Sequence, residues 1–305
     1  MRALAITIAA LLCCAAPACA QRLGPDDLAK MTVPAATHSE AYGSDPLEHG
    51  ELRVPKGKGP FPLVVMIHGG CWTSGFADLT YLRPLAADLE TKGVATWNVE
   101  YRQLGDKGGG WPGTFQDWAA ATDHVRALAK AYPLDLSRVV VIGHSAGAHG
   151  ALWIAARANI PAGSPIRSDH PLKIAATVAI DGPGDLTQFI GPDQKICGAP
   201  VISSLMGGLP TQVPDRYAQG NPIQLLPSHV PSALVAAVVL PPEAAQAYRT
   251  AALAKGDKAE VLVLHGIGHF DMLSPATPTG TATEALILKA AGVERIGPVS
   301  KAASS

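Results

Sequence analysis

Short, unbroken apolar runs punctuate the chain at Leu63 to Ile67, Val94 to Val99, Val139 to Ile142, Ile174 to Ile180, Ala233 to Leu240 and Val261 to Leu264. Runs of this length with no polar face predict strands covered on both sides. Between them, Leu79 to Thr91, Phe115 to Ala131, Ala146 to Ala158, Pro242 to Lys255 and Thr283 to Ala291 read as helices. Pro242 lies near a helix start and Gly256 just past its end, as the asymmetry of helix termini expects. Strands alternating with helices predict an α/β domain: a mostly parallel central sheet with helices on both faces. In such sheets ligands bind beyond the carboxyl ends of the strands, so the chemistry is sought there.

Two segments fall outside this rhythm. Residues 21–50 are polar and broken by proline, which predicts a poorly ordered lead-in over 21–47 and an edge strand near Leu52 to Val54, at the start of a domain spanning 48–292. From Gly182 to Pro231 the chain is rich in glycine and proline and only weakly periodic. A connection that long points to a cap or lid over a functional site. Residues 293–305 read as a tail.

Composition narrows the function. With 24 basic and 25 acidic residues, no basic block and few aromatics, the chain has no surface for counterion release or base stacking, which argues against a nucleic-acid partner. Met1-Arg2, the apolar run Ala3 to Ala16 and the small residues ending at Ala20 have the form of a secretory signal cleaved after Ala20. A secreted or periplasmic protein is the expectation, with no stable membrane span once the signal is removed, because the run is too short to anchor in a bilayer. The rival, a lipoprotein signal acylated at Cys19, has a poor approach sequence in Ala16-Pro17-Ala18. Cleavage would leave Cys71 and Cys197, either bridged or two small buried thiols; sequence cannot give their separation.

The chemistry concentrates in three places. Gly143-His144-Ser145-Ala146-Gly147 stands where an apolar strand gives way to an alanine-rich helix. A serine between glycines there is either an ordinary turn or a nucleophile elbow, in which the strained central residue leaves its neighbours no room for side chains. His68-Gly69-Gly70-Cys71-Trp72 follows the first core strand, and adjacent glycines let backbone amides approach an anionic intermediate. Gly266-Ile267-Gly268-His269-Phe270 lies in the loop after the last strong strand and crosses the same end of the sheet, so His269 is the candidate base. A zinc pair of His265 and His269 is disfavoured, since two glycines in the intervening segment suit no metal-binding helix. His144 reads as structural and His149 as packing near the site. Trp72, Phe189 and Leu205 are expected to pack in the core, with lining an apolar pocket as the alternative.

These motifs, with Glu100-Tyr101-Arg102 and Asp181-Gly182-Pro183, resemble the α/β-hydrolase superfamily, in particular its esterase and lipase branch with kynurenine-formamidase-like and feruloyl-esterase-like enzymes. The resemblance covers roughly Glu48 to Pro275. It implies an α/β-hydrolase fold and a serine hydrolase acting on a small-molecule ester or amide without a cofactor. Ser145 would be the nucleophile and His269 the base, and the N–H groups of Gly70, Cys71 and Ala146 would form the oxyanion hole. One piece departs from the family pattern. The acid expected before the Pro242 helix is absent, because Ser232 to Leu240 runs straight into Pro241-Pro242-Glu243. Asp181, which ends the preceding strand, resembles an acid position that some members use; Asp185 and Glu243 are the alternatives, while Asp271 is expected to point away. Without a working acid, a ligand-binding descendant of the fold is the competing reading.

Overall fold

The computed structural model describes residues 22–293; the expected signal sequence 1–20 and nearly all of the 293–305 tail lie outside them. The strands are β1 (His38–Ala41), β2 (His49–Arg53), β3 (Phe61–Ile67), β4 (Ala95–Val99), β5 (Leu134–His144), β6 (Ala176–Ile180), β7 (Ser232–Ala236) and β8 (Ala259–Val263). They form one sheet in the order β1-β2-β4-β3-β5-β6-β7-β8. Pairing is antiparallel at β1–β2 and β2–β4 and parallel from β4 to β8.

The apolar runs became strands because both faces are covered. Successive residues of β3 enter opposite cores: Leu63, Val65 and Ile67 pack with the helices Gly113–Asp123 and Ala146–Ala156, while Val64 and Met66 pack with Arg83–Thr91 and Pro278–Ala290. The period-2 alternation of side chains divides β5 likewise, Val139 and Val141 against Val140 and Ile142. β8 differs from the prediction: as an edge strand it is only half-buried.

Three other expectations are corrected. The lead-in is ordered from Arg22 and holds the helix Pro25–Ala29 and strand β1, so the residues near Leu52 belong to the second strand of the sheet, not its edge. Leu28, fully buried between the sheet and its helices, anchors that helix. The segment Phe115 to Ala131 forms two helices, Gly113–Asp123 and Val125–Ala131. Finally, Ala233 to Leu240 is not one strand. β7 stops at Ala236, and the next four residues turn about a carboxylate described below. The segment 182–231 is built of short helical pieces, among them Pro192–Cys197, Val201–Met206 and Pro214–Gly220.

Candidate active site

The elbow forms because β5 runs in the middle of the sheet straight into the helix Ala146–Ala156, leaving one residue to make the turn. Ser145 makes it, at φ 56° and ψ −120°, its N–H donating to Ile180 O at 2.8 Å. The backbone closes around it so tightly that a Cβ on Gly143 would meet Gly147 O at 1.9 Å, and one on Gly147 would meet Ile67 O at 2.1 Å. These contacts are the physical reason for both glycines of the motif.

Among the described residues only Cys71, Trp72, Ser145, Asp181 and His229 are non-glycine residues at positive φ, and the first four surround this elbow. Such strain persists where neighbours over-determine the conformation. For Asp181 the neighbours are evident. It ends β6, fully buried, and its Oδ1 accepts from the backbone N–H groups of Ala237, Val238, Val239 and Leu240 at 2.8 to 3.1 Å. Oδ2 faces His269 Nδ1 at 2.7 Å. Burial alone would push this carboxyl up, but the hydrogen bond and charge of His269 and the amides of Leu240 and Val239 outweigh it and hold the group below its ordinary range. The shortened stretch that lacks an aspartate thus supplies four amides to one from the neighbouring strand.

The other carboxylates are engaged elsewhere. Asp185 accepts from Thr187 N and from Asn221 Nδ2, Glu243 is exposed at a helix start, and Asp271 accepts from the N–H groups of Leu23 at 2.8 Å and Gly268 at 2.6 Å. Of the alternatives weighed from sequence, only Asp181 meets His269. The Nε2 of His269 has no hydrogen-bond partner among the described residues, and none joins it to the Ser145 hydroxyl; such contacts are often long without substrate and tighten in the complex. The two residues are linked through His144, whose ring lies 4.3 Å from that of His269 between centroids.

On the opposite side of Ser145, the turn after β3 is fixed from below. His68 is buried with Nε2 2.7 Å from Glu100 Oε1 and Nδ1 2.7 Å from Gly69 O. Both ring nitrogens face acceptors, which favours the doubly protonated ring. Burial opposes that charge, yet the charge and hydrogen bond of Glu100 raise His68 above its ordinary value. The Gly69 N–H is taken by Tyr81 Oη, whereas those of Gly70, Cys71 and Ala146 have no protein acceptor among the described residues. Gly70, at φ 107°, passes so close to Ala77 that a Cβ would meet its N at 3.1 Å. Cys71 is disulfide-bonded to Cys197, tying this turn to the end of the helix Pro192–Cys197.

A cavity of about 20 Å³ opens beside Ser145, lined by Ala146, Trp72, Phe189, Ile196, Ile202 and Val239 among others. The 182–231 segment therefore forms one of its walls. All three of Trp72, Phe189 and Leu205 pack in the core as expected, and Trp72 and Phe189 also line this cavity. A roomier cleft of about 490 Å³, near Asp78 and Asp106, includes neither Ser145 nor His269. Among the described residues no three His, Cys, Asp or Glu side chains cluster to hold a metal. Sequence reasoning missed the parts played by Tyr81, Glu100 and His144; the Glu100-Tyr101 motif after β4 was the one available signal.

A mostly parallel sheet carrying a strained serine between strand and helix, a glycine turn with free amides and a late-loop histidine paired to a carboxylate defines the α/β-hydrolase class of fold. Within it the chain matches the BD-FAE family model over residues 52–237 and belongs to that family, on the esterase side of the superfamily. Esterase B from Lactobacillus rhamnosis (HN001) is 20% identical with a TM-score of 0.71, the match covering 88% of this chain and 89% of that one. A propionate-bound thermophilic esterase, Est2 from Thermogutta terrifontis, is 18% identical with a TM-score of 0.66, covering 84% and 93%. The chain spans 37% of a bifunctional GH43-CE protein of Bacteroides eggerthii, at 22% identity and a TM-score of 0.67 over 83% of this chain. At these identities the likeness is one of fold. No curated protein matches the sequence.

Proposed function

We propose that the chain is a serine hydrolase that cleaves a carboxylic ester with a short acyl group through an acyl-serine intermediate. The observation that carries this reading is the hydrogen bond between His269 and Asp181, the substitute acid offered by the sequence, at the same end of the sheet as an elbow serine. Asp181 fixes the tautomer with the proton on Nδ1, leaving Nε2 to take the Ser145 proton as the hydroxyl attacks the carbonyl carbon. The amides of Gly70, Cys71 and Ala146 stabilise the oxyanion, each worth about 3 kcal/mol in the transition state. His269 then protonates the leaving alcohol, and water, deprotonated by the same nitrogen, releases the acid. The cavity beside Ser145 is about 20 Å³, and a single water needs roughly 10–15 Å³. A space this small, lined by Trp72, Phe189 and Ile202, supports short acyl groups over long ones.

The fold neighbours lend support: esterase B has been captured with a tributyrin phosphonate, and Est2 with propionate. Amide cleavage by the same machinery is the variant reading. The Asp181–His269 pair weighs against a descendant that only binds ligand. A fluorophosphonate should label Ser145, and p-nitrophenyl acetate should be hydrolysed faster than the butyrate and far faster than the octanoate. Absence of both label and turnover sinks the hydrolase; a preference for the octanoate sinks the short-acyl assignment. We place the mature chain outside the cytoplasm, on the pattern of residues 1–20 and the Cys71–Cys197 bridge, which suits an oxidising compartment. Its mature form should start at Gln21, as N-terminal sequencing of the exported protein would show.

A further inference from the structure

His144 and Tyr81 lie outside the proposed reaction, yet both are buried against it. The Gly69 N–H donates to Tyr81 Oη at 2.5 Å, so the hydroxyl hydrogen is free to donate in turn. His144 Nδ1 stands 3.0 Å from that oxygen, and His144 Nε2 stands 3.0 Å from the backbone carbonyl oxygen of His269. A carbonyl oxygen can only accept, so Nε2 carries the proton and Nδ1, in the neutral ring, is the acceptor. The reverse tautomer would set the Nε2 lone pair against the carbonyl. Each donor and acceptor is then used once, in one direction: Gly69 N–H to Tyr81 O–H, Tyr81 O–H to His144 Nδ1, His144 Nε2–H to His269 O.

We propose that Tyr81 and His144 form a hydrogen-bonded relay that holds the His269 loop in register with the oxyanion turn, which makes both of them positioning residues. The assignment rests on the hydrolase reading above. The two ends of the relay are the two parts of the site that come from opposite sides of the elbow: the turn after β3 and the loop after β8. Packing reinforces it, since the His144 ring lies against that of His269 and Tyr81 meets Phe270 edge-on at 5.5 Å between centroids. Burial, with the charge of His269 added, keeps His144 well below its ordinary value. The ring beside the base therefore stays neutral when His269 becomes an imidazolium.

The test uses Tyr81→Phe, His144→Phe and the double variant, each checked for a wild-type circular dichroism spectrum. Kinetics on p-nitrophenyl acetate are measured alongside amide hydrogen exchange over residues 264–273. A base displaced by a fraction of an ångström should lower kcat in each single variant on the order of 10- to 100-fold with KM little changed. Because both changes break one chain, the double variant should be no worse than the poorer single, and exchange in 264–273 should quicken in all three. His144→Gln, whose side-chain N–H can still donate to the His269 carbonyl, should recover part of kcat. Losses that multiply in the double variant, or folded single variants with wild-type kcat and wild-type exchange, overturn the relay. If the unaltered chain neither labels with fluorophosphonate nor turns over ester, the hydrolase reading fails first. Exchange then decides the relay alone, faster exchange supporting it and unchanged exchange overturning it. Should His144→Phe not fold, Tyr81→Phe, which removes one oxygen, carries the experiment.

Discussion

The elbow that holds Ser145 and the loop that holds His269 solve the same problem by opposite means. The elbow sits in the middle of the sheet, where β5 pairs with β3 and β6, and its shape is enforced by backbone pressed on backbone. The His269 loop leaves a half-buried edge strand, and although Met272 and Leu273 at its far end are buried, residues 265–267 and 269–271 are exposed or half-buried. It is held instead by ties: Asp181 on the ring, His144 on the carbonyl, and Asp271 joining Gly268 to Leu23 of the N-terminal segment. A serine fixed by excluded volume cannot move without unfolding its neighbourhood. A histidine fixed by hydrogen bonds can be released one bond at a time.

This contrast can be broken by experiment. Ser145→Ala should abolish turnover, a loss on the order of 10⁶-fold in kcat, while leaving the melting temperature within a degree or two; substantial residual esterase activity would place the chemistry elsewhere. Asp181→Asn should cost about 10⁴-fold by spoiling the His269 tautomer. In the place of Oδ2 its amide N–H₂ would also face the Val238 and Val239 N–H donors, so thermal stability should fall too, as calorimetry would show. In the elbow, Gly147→Ala drives a Cβ to 2.1 Å from Ile67 O, and should destabilise the fold by about 3 kcal/mol or more in urea titration. A fully stable, active Gly147→Ala variant would refute the excluded-volume account.

The buried His149 on the elbow helix sharpens the picture through pH. Burial depresses it to about 4, while its Nε2 donates to Gly220 O at 2.7 Å. Its folded pKa lies below the unfolded value of about 6.5, so the unfolded chain binds a proton that the folded chain refuses. The associated stability is complete above pH 6.5 and is lost as pH falls, by about 3 kcal/mol at pH 4. Comparing the pH dependence of stability in the wild type and His149→Phe isolates this contribution, and an unchanged slope rules it out. The smallest effect belongs to the loop. Asp271→Ala unties Leu23 from Gly268 and should lower kcat by roughly tenfold with little change in global stability. If it instead unfolds the protein, the loop is held by packing after all.

How much of this was legible in the chain follows the same division. The six apolar runs located strands β3 to β8, because strands buried on both faces are mostly apolar, although β8 proved to be a half-buried edge, and the glycine-flanked serine revealed the elbow because a Cβ has nowhere to go there. The Gly69-Gly70 turn and His269 were legible for the same local reason: each directly follows a recognisable strand. The Ala233 to Leu240 run misled because its second half is apolar yet not a strand; its amides serve Asp181, and amide direction leaves no trace in side-chain type. The lead-in misled because Leu28 and the β1 pairing draw their order from partners far along the chain.

The sequence by itself determined the strands β3 to β8, their covering helices, the elbow and the order in which Ser145 and His269 appear, since each depends on periodicity or on steric limits within a few residues. Only the tertiary structure decided which carboxylate meets His269, whether Cys71 and Cys197 join, and how Tyr81 and His144 link the two sides of the site. Those are meetings between residues up to 126 positions apart in the case of the disulfide, and they are set by how the strands are ordered in the sheet, which no local pattern of residues encodes.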